Sequence, residues 1–251
     1  MLAKQVIKSK PNPVGIKNWV LCGKSGRALD FELYQRGGTG IPEQYRHLGL
    51  GASVVLRLSE SVPKDMNYKL CFDNYFTGIP LLWELKLKGI LSLGTIKANR
   101  LMGCALKNEK QLGHRGASDT KVSAEGDICV VRWLDNGVVT LESTMAGDQP
   151  RDQVRRWSES AKTHIFIDRP YAVQVYNDYM GGVDKLDFLI SLYRINAKTR
   201  KWPVRMIFHF LDFALANAWL EYRNFEVEHG TPKRQVLDLL SFRSEVGQAL
   251  I

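Results

Sequence analysis

The sequence of 251 residues is poor in the residues that build disulfide frameworks and zinc modules. Its four cysteines, Cys22, Cys71, Cys104 and Cys129, are far apart, form no CxxC pair and have no paired histidines nearby. Structural zinc sites and disulfide scaffolds need closer and more regular spacing. We therefore expect reduced cysteines that pack as small side chains, and no zinc module is visible.

A long apolar run is also missing. The most apolar stretch, residues 206–220, is short for a bilayer crossing and contains His209, Asp212 and Asn217. Residues 1–13 mix lysines with prolines and polar residues, unlike the unbroken apolar core of a signal peptide. We expect no membrane span and no secretion, and we expect His209 and Asn217 to be satisfied polar groups in a packed helix rather than catalytic groups.

What the sequence does contain is enough apolar material for a folded core and an excess of positive charge. It is 45% hydrophobic, which suits one large domain or one domain with an insertion. Its 35 lysines and arginines outnumber 26 acidic residues, for a formal net charge of +9. Such an excess favours a polyanionic partner, although its distribution matters more than its total.

The order of the predicted elements indicates an α/β fold, because helical patterns lie between short strands. Residues 97–169 interrupt this order with a polar stretch and a hairpin around Asp135-Asn136-Gly137, which predicts a β-rich insertion. The last third has helical spacing, and 204–222 is apolar nearly all round, which predicts a buried helix. The predicted parts are 1–96 (first part of the core), 97–169 (insertion), 170–225 (second part of the core) and 226–251 (C-terminal tail).

Two blocks of sequence carry a family resemblance. Residues 71–77, Cys-Phe-Asp-Asn-Tyr-Phe-Thr, with Gly94-Thr95 and Asn99-Arg100 after them, resemble the DNYFTS, GT and NR block of piggyBac transposases. Residues 176–184, Tyr-Asn-Asp-Tyr-Met-Gly-Gly-Val-Asp, resemble that family's YNxYMGGVD. Matches in this order cover most of the chain, so we identify it as similar to the catalytic domain of a piggyBac-type DDE/DDD transposase.

The resemblance implies an RNase H-like core with an inserted β-rich subdomain and a helical C-terminal part. It also implies three aspartates that hold two Mg²⁺ ions, which activate the attacking oxygen and stabilise the leaving oxygen. Asp73, after a strand, matches the second of these ligands and Asp184 matches the third. Asp187, one helical turn later, is expected to add negative potential nearby. The alternatives from the residues themselves are a turn role for Asp73 and a helix cap for Asp184.

The first metal ligand of the family has no counterpart in this sequence. Members carry an aspartate just after the first strand, in a pattern such as CDSxxG, whereas this chain has Gly23 between Cys22 and Lys24. Gly23 offers no ligand, and the Lys24 cation would repel a metal. Asp30 and Glu32, across the hairpin, are candidate substitutes, although strand alternation limits where Asp30 can point.

A run of cations follows the Asp184 helix and predicts a contact with DNA phosphates. No acidic residue interrupts the segment between its ends, and its five cations are Arg194, Lys198, Arg200, Lys201 and Arg205. The alternatives are a solvated loop and a nuclear-import signal. Trp202 and Pro203 are expected to start the next helix. A second, smaller cluster consists of Arg151, Arg155 and Arg156 in the predicted insertion.

Three hypotheses for function follow. The first is a transposon-derived protein that binds double-stranded DNA but is catalytically degenerate, which the missing aspartate favours. The second is an active metal-dependent transposase or nuclease that cuts and pastes DNA at TTAA sites. The third is a truncated product without a function. Family and charge together imply a nuclear protein, and a homodimer is left open.

Overall fold

The computed structural model describes residues 4–6, 14–196, 198–199 and 201–250. The chain divides into two compact units. The first consists of 1–19 and 32–180, and the second of 20–31 and 181–251. Arg200 of the predicted cationic segment lies outside the described residues.

Within the described residues, the strands form one large sheet and three two-stranded ladders. In chain order they are β1 (Lys4–Val6), β2 (Val14–Ile16), β3 (Asn18–Cys22), β4 (Ala28–Leu33), β5 (Tyr68–Phe72), β6 (Ile90–Thr95), β7 (Ser118–Val122), β8 (Cys129–Leu134), β9 (Val138–Ser143), β10 (Asp152–Ser158) and β11 (Thr163–Arg169). The ladders are β1–β2, β3–β4 and β10–β11.

The large sheet lies in the first unit and has the strand order β5-β6-β9-β8-β7. Strands β5 and β6 are parallel, with Phe72 opposite Gly94, whereas the other pairs are antiparallel. The parallel pair is connected through a helix, as parallel strands require. Strands on both sides of residue 97 therefore share one sheet, and the predicted boundary at that residue stays a prediction.

The described residues contain seven α-helices. They are α1 (Leu50–Leu58), α2 (Ile79–Leu87), α3 (Glu109–Leu112), α4 (Tyr171–Tyr179), α5 (Gly182–Leu192), α6 (Trp202–Glu228) and α7 (Leu239–Ala249). Pro80 lies in the first turn of α2, where its missing N–H costs no helical hydrogen bond. The α/β fold predicted from periodicity is confirmed.

The core of the first unit joins the large sheet to α4 and to the inner face of β10–β11. Its buried residues include Leu93 and Leu141 from the sheet, Ala172 from α4 and Ile167 from β11. The thiol of Cys71 packs against this cluster, and burial raises its pKa to about 12. All four cysteines are free, as the sequence predicts.

The second unit packs α5 against α6 and the tip of the β3–β4 hairpin. Leu186 and Ile190 of α5 meet Phe213 and Ala216 of α6, with Ala28 beside them. Residues 226–251, expected to be a tail, contain α7, whose Leu239 is buried against Trp219 and Leu220.

Helix α6 begins at Trp202, as predicted, but the prediction that it is buried all round is wrong. Ile207 is 59% exposed and Leu211 is 47% exposed, whereas Ala216 is fully buried. The elements of this unit contact one face of the helix, so apolar composition alone overstated its burial. No described helix is long and apolar enough to span a membrane.

A carboxyl group with no partner is buried in the large sheet. Glu142 of β9 lies opposite Gly94 of β6 and is 0% exposed, and neither of its carboxylate oxygens has a hydrogen-bond partner among the described residues. Burial disfavours the charged form and raises the pKa of this carboxyl to about 8. Glu142 is therefore protonated in the folded chain at neutral pH.

This burial makes stability depend on pH. The folded chain keeps Glu142 protonated up to about pH 8, whereas the unfolded chain ionises it near 4.5. The contribution of Glu142 to stability is therefore greatest below pH 4.5 and is lost as the pH rises to about 8. The difference in unfolding free energy between Glu142→Gln and the native chain should therefore grow in favour of the variant as the pH rises through this window, by on the order of a few kcal/mol.

Urea unfolding at both ends of the window measures the effect. The exposed Glu125→Gln is the matched control and should show no such change with pH. An equal difference between Glu142→Gln and native protein at both pH values would contradict the assigned burial.

Candidate functional site

Asp73 lies directly after β5 and organises the turn that follows it. One carboxylate oxygen, Oδ1, accepts a hydrogen bond from the backbone N–H of Tyr75 at 2.7 Å. The carbonyl oxygen of Asp73 accepts from the hydroxyl of buried Thr77 at 2.8 Å. The side chain is exposed. The turn role expected as an alternative is thus present, and the metal-ligand role of Asp73 stays a prediction.

Two later motif residues hold this turn in place. A Cβ atom at Gly94 would lie 2.3 Å from the Thr77 hydroxyl oxygen, so only a glycine allows the turn to pack against β6. The Nη1 group of Arg100 lies 3.0–3.1 Å from three carbonyl oxygens of the turn, those of Asn74, Tyr75 and Thr77. The GT and NR motifs therefore fix the backbone next to Asp73.

In the second unit, the end of β3 touches the start of α5. A Cβ atom at Gly182 would lie 2.6 Å from the carbonyl oxygen of Gly23 and 3.2 Å from Cβ of Cys22. The Lys185 ammonium donates to the carbonyl oxygen of Lys24 at 2.9 Å. The position of the family's first ligand and the helix that carries Asp184 are therefore neighbours in this unit.

Asp184 lies in the first turn of α5, not at its N-cap, so the alternative of a capping aspartate is wrong. The N-cap is Gly181, so no side chain caps this helix. Asp184 is exposed, and a carboxylate in a first turn is favoured by the helix dipole. Asp187 is also exposed, one turn further along α5. The metal and electrostatic roles predicted for this pair stay predictions.

The first ligand position offers no carboxylate. Burial, and then the negative charge of Asp187, raise the pKa of the Cys22 thiol to about 12, so it carries no thiolate at neutral pH. In the first unit, Glu32 is buried and bonded to Arg57 and to the N–H of Gly40, each at 3.1 Å. Glu32 is therefore already engaged.

Asp30 is the other candidate to replace the missing first metal ligand. Its Oδ1 accepts from the neighbouring N–H of Phe31 at 2.7 Å. Within the described residues no group of three or more His, Cys, Asp or Glu side chains could hold a metal ion. The position that the resemblance assigns to the first metal ligand holds Gly23, which offers no carboxylate.

The predicted cationic segment follows α5 and extends into the first turn of α6. Arg194, Lys198, Lys201 and Arg205 are all exposed, and none of them forms a salt bridge with another described residue. The Nε group of Arg205 donates to the carbonyl oxygen of Thr199 at 2.9 Å. The charges of these four residues thus face solvent, and the contact between Arg205 and Thr199 helps to order the backbone.

A buried ion pair anchors the start of this segment. Asp212 of α6 is 0% exposed, and its Oδ1 accepts from Nη2 of Arg243 in α7 at 2.7 Å. Oδ2 of the same carboxylate accepts from the backbone N–H of Ile195 at 3.0 Å. Asp212 belongs to no motif of the sequence that marks a role for it. The signal was present, since an acidic residue inside an apolar helix needs a partner.

Asn217 of α6 is satisfied, as predicted, whereas the same expectation for His209 stays a prediction. Asn217 accepts from the N–H of Ala28 at 2.7 Å and donates to its carbonyl oxygen at 3.3 Å. Burial lowers the pKa of His209, and the charge of Arg194 lowers it further, so its imidazole is neutral at neutral pH.

Comparison with known proteins decides the family. Residues 1–219 match the family model described as Transposase IS4. The chain is a member of this transposase family, in its piggyBac-type branch. Over 249 residues it is 33% identical to the human PiggyBac transposable element-derived protein 3, and this alignment covers 97% of this chain and 40% of that protein. Over 225 residues it is 33% identical to the human PiggyBac transposable element-derived protein 2, with 88% and 38% covered.

The fold is shared with a solved piggyBac transposase. The cryo-EM structure of the piggyBac transposase synaptic complex with hairpin DNA superposes with a TM-score of 0.76 at 24% identity. The match covers 97% of this chain and 48% of that one. The predicted RNase H-like transposase fold is thus confirmed. The chain spans about two fifths of the length of the two human relatives.

The buried ion pair leads to a prediction about stability. Arg243→Ala should lower the unfolding free energy by about 3–5 kcal/mol, because it leaves the Asp212 charge buried without its partner. Arg27→Ala is the control in the same unit, since its ion pair with Glu221 is exposed and should contribute less than about 1 kcal/mol. Urea unfolding of both variants gives the comparison, and similar losses would contradict the importance of the buried pair.

Proposed function

We propose that this chain is a transposase-derived protein that binds double-stranded DNA through its cationic segment and does not cleave it. The observation that carries the proposal is the set of exposed cations in 194–205 without acidic partners among the described residues. Point cations on phosphates give affinity without reading base sequence. A nuclear location and a homodimer fit this function and stay predictions.

The anchoring of the segment supports the DNA-binding role. The Asp212 carboxylate fixes the backbone at Ile195, just after Arg194, while the contact between Arg205 and Thr199 orders the other end. A segment held in this way loses less conformational entropy on binding than a free loop. The similar piggyBac transposase structure is itself a complex with DNA.

The side chains at and near the first ligand position support the proposed lack of cleavage. Gly23 has no side chain, the adjacent thiol of Cys22 is protonated, and Glu32 is bonded elsewhere. The alternative function, an active transposase or nuclease that acts at TTAA sites, draws on the exposed carboxylates of Asp73 and Asp184. It would need Asp30 to replace the missing aspartate.

The DNA-binding proposal predicts a change in salt dependence. Replacing Arg194, Lys198, Arg200 and Lys201 with alanine should weaken binding to a duplex and flatten the plot of log affinity against log salt concentration. Each lost phosphate contact should reduce the slope by about 0.9. Fluorescence anisotropy with duplexes of two unrelated sequences measures both quantities, and both duplexes should lose affinity equally.

A matched control removes the same charge from elsewhere. Lys69, Lys107, Lys110 and Lys121 are exposed residues of the first unit, and their quadruple alanine variant changes the net charge equally. If the two quadruple variants flatten the slope to the same degree, binding depends on total charge and the assignment to the cationic segment is wrong.

The proposed loss of catalysis predicts that the native chain does not nick DNA in Mg²⁺. Gly23→Asp should restore Mn²⁺ binding and, with it, nicking at a piggyBac-type transposon end. The substitution is sterically allowed, because a Cβ at Gly23 would lie 3.8 Å from the nearest atom, the carbonyl oxygen of Arg27. Gly23→Asn, which has the same shape without the charge, is the control.

Metal-dependent nicking by the native chain that is lost in Asp30→Asn would contradict this account. That result would show that Asp30 supplies the missing carboxylate and that the chain is an active nuclease.

A further inference from the structure

The β10–β11 hairpin of the first unit exposes aromatic and cationic side chains on one face. Antiparallel pairing places Arg155 opposite Phe166 and Trp157 opposite His164. Phe166 is 66% exposed and Trp157 is 48% exposed. We call this surface the ribbon face, and it consists of Gln153, Arg155, Trp157, His164, Phe166 and Asp168.

The opposite face of the same hairpin is fixed to the core. Ile167 is buried in the core cluster, and Val154 and Ile165 pack against it. Arg156 forms a salt bridge with Asp135 at 2.8 Å. The ribbon face therefore stands on a rigid support, because its alternate side chains are held by apolar packing and by an ion pair.

Contacts from outside the hairpin fix its backbone as well. Nη1 of Arg115 donates to the carbonyl oxygen of Trp157 at 3.0 Å, and Nε1 of Trp133 donates to that of Asp168 at 2.9 Å. The Trp157 ring lies edge-on to His164, with ring centroids 5.2 Å apart. These contacts fix the hairpin backbone and orient the Trp157 ring before any ligand binds.

The ribbon face carries one cation, Arg155, and one carboxylate, Asp168, which accepts a hydrogen bond from Nε2 of Gln153 at 3.2 Å. Nη2 of Arg155 lies 3.1 Å from Nδ1 of His164, and Arg155 forms no salt bridge within the described part of the chain. A guanidinium without a salt-bridge partner among the described residues, beside two exposed rings on one face of a strand pair, suits a ligand that carries both phosphates and planar bases.

We propose that the ribbon face binds unpaired nucleotides, whose bases stack on Trp157 and Phe166 while Arg155 contacts a phosphate. Paired bases in a duplex present their edges, so stacking on these rings selects single-stranded DNA or unpaired bases next to a duplex. This activity goes beyond duplex binding by the cationic segment, which belongs to the other unit.

Cross-strand stabilisation of the hairpin is the simpler role for these rings, and binding experiments separate it from the proposed one. Fluorescence anisotropy is measured with an oligothymidine of about 20 nucleotides and with a duplex of the same length. Trp157→Ala and Phe166→Ala should each weaken binding of the single strand about tenfold and leave duplex binding unchanged. Trp157→Phe should retain most of the affinity, because it keeps a stacking ring.

The control is an exposed aromatic residue elsewhere in the chain that also lies beside a histidine. Phe225 is 56% exposed and its ring centroid lies 3.9 Å from that of His229, in α6. Phe225→Ala should leave single-strand affinity unchanged. Thermal unfolding of every variant shows whether the fold is retained, and Trp157→Phe keeps the proposal testable if the alanine variants unfold.

Several results would overturn the proposal. They are unchanged single-strand affinity in Trp157→Ala and Phe166→Ala, an equal loss of duplex affinity in these variants, and the absence of single-strand binding by the native chain. The last result would favour a protein as the occupant of the ribbon face. Failure of the cationic segment to bind duplex DNA would leave the single-strand comparison intact, so the two proposals fail separately.

Discussion

A single buried negative charge organises the second unit. Asp212 has no exposed surface, and a carboxylate in such a position is destabilising unless its oxygens are paired. Its partners are the Arg243 guanidinium from α7 and the backbone N–H of Ile195. One side chain of α6 therefore connects the last helix of the chain with the loop before α6. That loop carries the cations to which we assign DNA binding, so the proposed function depends on this contact.

Sequence patterns predicted the elements better than their partners. The Asp135-Asn136-Gly137 hairpin and the start of α6 at Trp202 are both present, because each depends on residues close in sequence. Local periodicity does not show which distant strands pair with each other. The alignment of β6 with β9, which makes the predicted insertion part of the large sheet, could not be read from either strand alone.

The same distinction applies to the candidate site. Asp73 and Asp184 were found through motifs, and the missing carboxylate at Gly23 through its departure from one. Asp212 and Arg243, in contrast, are 31 residues apart in sequence, and neither belongs to a motif that names its partner. The burial of α6 was overestimated for a related reason, since composition does not reveal which face of a helix has neighbours. Gly94, Arg100 and Gly182 are motif residues whose roles became clear only from the atoms that they approach.

The chain therefore has the fold of a piggyBac transposase, and Gly23 occupies the position that the family resemblance assigns to the first metal ligand. A calorimetric titration of the native protein with Mn²⁺ tests this claim most directly. Our account predicts no saturable binding at the submillimolar concentrations where carboxylate sites with several fixed oxygens fill. Saturable binding of one or two ions per chain, abolished by Asp73→Asn or Asp184→Asn, would contradict it.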